Sequence, residues 1–194
     1  QYTGQNLEHL KDKVVGIIGT GASAVQIVPE LAKTAKAVYV FQRTPSSIDV
    51  RDDWPTDPNW ARKLEAGWQN KRRSKVLAAV ENSLEKRASK GATSPEEKLK
   101  KQENANIDYM MRIHRRIDEI VDDQVTADAL KPWYMFMCKR PCFHNEYLPA
   151  FNLPNVHLID TKGQGVTEIS AKGPVFDGHE YELDLLIYAT GFEV

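Results

Sequence analysis

The sequence predicts an α/β protein, a Rossmann-like parallel sheet with a helical insertion and a small antiparallel excursion. Three observations carry this reading: a strand, glycine turn and helix in succession near the start; a second apolar run soon after; and a sharp change to helix-forming composition in the middle of the chain. With 194 residues, 41% of them apolar and 27% charged, the chain can bury one ordinary core, or a core and an appended lobe.

Residues 13 to 18 (KVVGII) form an apolar run ending at Gly19, followed by small residues and then Val25, Ile27, Val28, Leu31 and Ala32 at helical spacing. Pro29 falls inside this helix, removes one backbone donor and is expected to kink it. Residues 37 to 41 (AVYVF) read as a second strand. The whole unit of about 30 residues has the length of a right-handed crossover between parallel strands.

After Pro45 the sheet is expected to end in a loop, since residues 50 to 60 hold aspartates and two prolines without apolar periodicity. Asp57 and Pro58 suit the N-cap and first turn of a helix running to about Leu84, with Trp60, Leu64, Trp68 and Val76 or Leu77 facing inward. Ser94 and Glu97 have capping-box spacing and open a second helix whose apolar face comprises Ile107, Met110, Met111, His114, Ile117 and Val121. The division that follows is 1–55 with 133–194 as the nucleotide-binding domain and 56–132 as the insertion. Strands are expected at 133–138 and 156–160. The tail then alternates through Val166, Ile169, Val175, Phe176, an Asp177-Gly178 turn, Tyr181 and Leu183, and closes on the strand 185–188.

Composition excludes some roles. Lysine and arginine (26) nearly balance aspartate and glutamate (27), which gives no general pull toward nucleic acid. No run approaches the roughly 18 apolar residues of a membrane span, and the segment QYTGQNLEHL lacks the basic and apolar regions of a leader. The expectation is a cytoplasmic protein without nucleic-acid or membrane partners. Cys138 and Cys142 form neither a disulfide framework nor a metal site, and the five histidines are scattered, so no metal is expected. His144 reads as an exposed loop residue. Asp52-Asp53 and Asp122-Asp123 read as solvated loop or helix-end charges, and the basic stretch from Arg62 to Arg87 as a solvated helix face.

The chemistry concentrates at Gly19, Thr20, Gly21, Ala22, Ser23 and Ala24, a G-x-G-x-x-A pattern at a strand-to-helix junction. Gly19 suits the tight turn, Gly21 lets backbone approach a pyrophosphate, and Ala24 lets helix and strand pack closely. The helix N-terminus adds free N–H groups and partial positive charge. An NAD-type site places a carboxylate about 20 residues on, at the tip of the next strand. Here that tip reads Phe41-Gln42-Arg43-Thr44, and Arg43, 24 positions after Gly19, suits a ribose 2'-phosphate instead. Gly163-Gln164-Gly165 imitates a second phosphate loop, but the residues after it alternate as a strand and Glu168 takes the third small position, so it is not read as a nucleotide site. The residues alone leave Lys139 and Arg140 open between a solvated pair and part of a site.

Taken in order, VVGIIGTGASAVQIVPELA, FQRTP, CKRPCFHNEYLPAFNLPNVHLID and DLLIYATGF resemble the Baeyer-Villiger monooxygenases and related class B flavin monooxygenases, clearest over 11–50 and 133–194. The resemblance implies a flavoprotein with two dinucleotide-binding domains, in which NADPH held by one reduces FAD held by the other. The reduced flavin activates oxygen, which a ketone accepts to become an ester or lactone. It further implies that Thr20 to Gln26 wrap the pyrophosphate and that Arg43, Thr44 and Lys139 hold the 2'-phosphate side. Arg140 becomes the active-site arginine, a permanent cation beside developing negative charge. Ala189-Thr190-Gly191 becomes a hinge toward the flavin domain. The family's flavin-binding G-x-G-x-x-G and F-x-G-x-x-x-H-x-x-x-W signatures are not among these residues, so the implied partner is an FAD domain of the same polypeptide, with a small ketone as substrate. The alternatives are N- or S-oxidation by a related flavin monooxygenase, a free-standing NADP-dependent dehydrogenase, which would need a proton donor such as a Tyr-x-x-x-Lys pair, and a non-catalytic NADP-sensing module.

Overall fold

The computed structural model describes residues 7–89 and 94–191, with the side chains of 79–89 excepted. The start of the QYTGQNLEHL segment and Phe192 of the final motif lie outside the described residues. By contacts the chain forms two compact units, residues 1–51 with 112–194, and residues 52–111.

In the first unit, β1 (Val14–Ile18), β2 (Ala37–Gln42), β5 (Val156–Asp160) and β9 (Leu185–Tyr188) make one sheet in the order β5-β2-β1-β9, every pairing parallel. Its two central strands have the continuous apolar character of strands covered on both faces: Val15, Ile17, Val38 and Val40 are wholly buried. Between β1 and β2 runs α1 (Ala22–Ala32), which continues unbroken through Pro29 and buries Ala24, Val25, Val28, Leu31 and Ala32. That is the crossover expected from the spacing of its apolar residues. On α1 packs α6 (Tyr147–Ala150), whose Tyr147 is fully buried edge-on to Phe151.

The tail forms an antiparallel meander of β6 (Glu168–Ile169), β7 (Pro174–Phe176) and β8 (His179–Glu180). Asp177 and Gly178 between β7 and β8 both take positive φ (50° and 74°), the geometry of a tight hairpin turn. Beyond it, Tyr181 packs edge-on to Phe41 and Tyr39.

Four expectations are corrected. Residues 133–138 form no strand: Cys138 N–H turns back onto the Met135 carbonyl (3.1 Å) and Met137 takes φ 71°, which breaks an extended run. The strand nearby is instead β4 (Cys142–Phe143), and it pairs in parallel with β3 (Ile48–Asp49), inside the region read as having left the sheet. The long helix expected from Asp57 is two, α2 (Pro58–Arg62) and α3 (Trp68–Ser89), separated by residues 63–67, of which Gly67 takes a non-helical φ of 80°. Several of its expected inward positions are exposed, among them Trp60, Val76 and Leu77, although Trp60 and Trp68 meet edge-on at 5.7 Å. Both helix-start signals hold: the Asp57 carboxylate accepts from Asn59 N–H (2.9 Å), and the Ser94 hydroxyl accepts from Glu97 N–H (3.2 Å).

The helix that Ser94 opens, α4 (Pro95–Ile120), buries Met110, Ile113 and Ile117 rather than Ile107 and Met111, which are exposed. From Arg112 on, α4 and then α5 (Gln124–Leu130) fall in the first unit. Arg112 grips the buried Asp49 carboxylate with both guanidinium nitrogens (3.0 and 2.6 Å), and Asn152 binds the Ile120 carbonyl (2.7 Å). Among the described residues no helix is long and apolar enough to cross a membrane.

Candidate nucleotide-binding site

The two glycines of the β1–α1 turn do different work. Gly19 has φ 111°, and a Cβ there would lie 2.4 Å from the Ala189 carbonyl oxygen, so the chain leaving β9 crosses too closely for any side chain. Its N–H binds the Phe41 carbonyl (3.0 Å), while Ala189 N–H binds that of Ile18 (2.9 Å). Gly21 has an ordinary φ of −76°, and a Cβ there would meet nothing within 4 Å. Nothing among the described residues excludes a side chain at Gly21. Its bareness opens space against the first turn of α1, where no side chain caps the helix and Ala22 and Ser23 are exposed. An uncapped helix start with an open approach leaves free N–H groups that suit an anion. Ala24 is wholly buried beneath it, as close helix–sheet packing requires.

Thr20 and Gln26 both make hydrogen bonds within the chain. The Thr20 hydroxyl donates to the Thr44 carbonyl (2.7 Å), and Ser46 donates to the Thr20 carbonyl, so these groups tie the glycine turn to the end of β2. Gln26 is exposed and folds back onto the Ala22 carbonyl (2.9 Å).

Arg43 emerges at the end of β2, exposed, its stem beside Gly165, where a Cβ would sit 3.6 Å from the arginine Cδ. The glycine pair rejected as a phosphate loop therefore shapes the surface on which Arg43 lies. Thr161 holds that loop, accepting from Gly165 N–H (2.9 Å) while donating to the Gln42 carbonyl (2.8 Å). Lys139 comes alongside from a distant part of the chain. Burial first, and the positive charge of Arg43 second, push its ammonium below the ordinary lysine pKa. Neither cation has an ion pair among the described residues. Two neighbouring cations without a carboxylate have the charge that suits a doubly charged anion. Arg140 follows, exposed.

Residues without a sequence signal build the frame. Gln42 is fully buried, and its amide donates to the Ala129 carbonyl at the end of α5 (2.7 Å), while its Oε1 has no partner among the described residues. The Tyr134 hydroxyl donates to the Pro45 carbonyl (2.9 Å) and accepts from Ser47 N–H (3.2 Å). His144 serves a local turn, its Nδ1 accepting from Glu146 N–H (3.1 Å). Both thiols are free, Cys138 exposed and Cys142 buried, with burial pushing the Cys142 thiol up. No cluster among the described residues could hold a metal ion.

No protein-family profile matches the chain. It is 47% identical to a Baeyer-Villiger monooxygenase of Stachybotrys chlorohalonatus, over 99% of this chain and 35% of that protein. It is 46% identical to the ketocytochalasin monooxygenase of Aspergillus clavatus, over 97% of this chain and 33% of that protein. Among solved structures it superposes on the polycyclic ketone monooxygenase of Thermothelomyces thermophila with a TM-score of 0.77 at 37% identity, covering 96% of this chain and 34% of that one. The NADP+ complex of cyclohexanone monooxygenase from Rhodococcus sp. Phi1 matches with a TM-score of 0.71 at 28% identity, covering 99% of this chain and 40% of that one. The chain thus spans about a third of the length of the curated relatives it matches, and over that span it belongs to the Baeyer-Villiger monooxygenase family.

Proposed function

We propose that this chain forms the NADP(H)-binding region of an FAD-dependent monooxygenase that uses O2 to convert ketones to esters or lactones. The observation that carries the reading is the Arg43–Lys139 pair, which offers two cations and no carboxylate where an NAD site has an acid. The residues fit the coenzyme. The bare Gly21 and the uncapped start of α1, with Ala22, Ser23 and Ala24 in its first turn, would receive the pyrophosphate. Arg43, Thr44 and Lys139 would receive the 2'-phosphate, each charge-assisted bond contributing about 1.5–3 kcal/mol. Bound NADPH supplies a hydride to the flavin. Thr20, tied to the Thr44 carbonyl, and Gln26, folded onto the first turn of α1, would complete the wrap around the pyrophosphate, and Gly19 keeps the turn tight against the exit of β9.

Arg140, next to Lys139, would place positive charge where oxygen becomes negative during ketone oxidation. In this reading residues 56–132 are an insertion between the two parts of the nucleotide domain, and an FAD domain of the same polypeptide is the partner that meets Arg140. Two free thiols are in keeping with a cytoplasmic setting. The experiment is a titration of the purified chain, which is not expected to turn over alone, with NADPH and NADH, followed by ketone oxidation by the polypeptide that includes the FAD domain. NADPH binding at least about tenfold tighter, with turnover requiring both coenzymes, is the expected result; equal affinities contradict the proposal.

A further inference from the structure

We propose that Tyr134 is the positioning residue that sets coenzyme preference, by holding Lys139 beside Arg43 so that both cations meet one phosphate monoester on the nucleotide ribose. The inference rests on the NADP(H) reading above and adds to it the device that assembles the phosphate receptor.

Two like charges do not come together unaided. Lys139 and Arg43 repel, and among the described residues no carboxylate lies between them to offset this. Lys139 belongs to a segment without strand pairing, so no sheet ladder holds it in register. Tyr134 supplies what the ladder does not. Its hydroxyl bridges the Pro45 carbonyl and the Ser47 N–H, and thereby spans the turn that directly follows Arg43 and Thr44. A phenol can fill both roles at once, as one donor and one acceptor. Burial raises its pKa above the ordinary tyrosine value, so the proton it donates stays in place at neutral pH.

The chain then reverses. Cys138 N–H closes on the Met135 carbonyl, Met137 adopts its left-handed φ, and Lys139 returns with its ammonium 5.4 Å from the centre of the Tyr134 ring. At that distance the face of the ring attracts the cation. One side chain thus pins the backbone beyond Arg43 through its hydroxyl and seats Lys139 through its ring. Phenylalanine would keep the ring and lose the pin.

The test titrates NADP+ and NAD+ into the purified wild-type protein and the variants Tyr134→Phe, Lys139→Ala, Tyr134→Phe with Lys139→Ala, and Arg43→Ala. Tyr134→Phe is expected to weaken NADP+ about tenfold, the scale of one bond to a charged group, and to leave NAD+ within about twofold. In the Lys139→Ala background the tyrosine substitution should add nothing, because the two residues act as one unit. A general loss of structure would weaken both dinucleotides alike. Equal losses for the two, no loss for either, or full additivity in the double variant overturns the inference. Arg43→Ala separates this failure from that of the site itself: if it abolishes the preference while Tyr134→Phe leaves it intact, only the role of Tyr134 is wrong. If Arg43→Ala leaves the preference unchanged, the reading of the site falls and this inference with it.

Discussion

The glycine turn beyond β1 and the cationic pair beyond β2 lie at the ends of adjacent parallel strands, but different physics holds each in place. The turn is built from backbone. Gly19 is forced by the crossing at Ala189, Ala24 by packing, and the anion affinity arises from peptide dipoles that the helix aligns whatever its side chains are. The cationic pair is built from side chains far apart in sequence, the Arg43 stem lying beside Gly165 and the Lys139 ammonium over the Tyr134 ring. On the function proposed above, the backbone half would tolerate little change in shape and accept any pyrophosphate, whereas the assembled half would tolerate change and accept one phosphate.

That contrast can be broken most forcefully at Gly19. Replacing it with alanine adds positive-φ strain to an overlap with the Ala189 carbonyl and is expected to cost roughly 3 kcal/mol or more of stability, read as a large drop in melting temperature. Gly21→Ala is the counterpart. With no clash, stability should stay within about 0.5 kcal/mol, while NADP+ and NAD+ should both weaken, by about tenfold, as the added methyl enters the space facing the helix start. If Gly21→Ala discriminates between the two dinucleotides, the division of labour is wrong.

A pH titration sharpens the other side. In the free protein burial and Arg43 depress the Lys139 pKa; a bound phosphate favours the ammonium and raises it. Affinity for NADP+ should therefore be fully present below the depressed value and fall as pH rises through it toward the value in the complex. Tyr134 is shifted upward, and a phosphate monoester has lost its second proton above about pH 6. NAD+ affinity, measured in parallel, should stay flat over the same range, and Lys139→Ala should remove the slope.

The smallest effect lies under α1. Tyr147 is fully buried and its hydroxyl has no partner among the described residues, so Tyr147→Phe is expected to raise stability by about 1 kcal/mol in denaturant unfolding without altering either affinity.

The backbone half of the site was legible because its determinants are local: β1, the turn and α1 occupy one continuous stretch with a period change at Gly19. Asp57, Ser94 and the Asp177-Gly178 turn were legible for the same reason, each acting within a few residues. The frame of the cationic half was not. Nothing around Tyr134 or Gln42 records that they reach Pro45, Ser47 and Ala129, and the Arg112–Asp49 pair joins residues 63 positions apart. The apolar run at 133–138 misled because alternation resembles a strand whether or not a sheet edge is near, and here Trp133, Met135 and Met137 stand exposed. The insertion helices misled in the same way, since periodicity marks a face without saying what covers it, and Val76, Leu77, Ile107 and Met111 are exposed. β3 and β4 are two residues each, too short to carry a period.

The charge of Arg43 is the most direct point of attack on the whole account. NADP+ and NAD+ should be titrated into the Arg43→Glu protein. A loss of at least about a hundredfold for NADP+, with NAD+ held or improved because a carboxylate now faces the ribose hydroxyls, is the expected outcome. An unchanged NADP+ to NAD+ ratio after that reversal would contradict it.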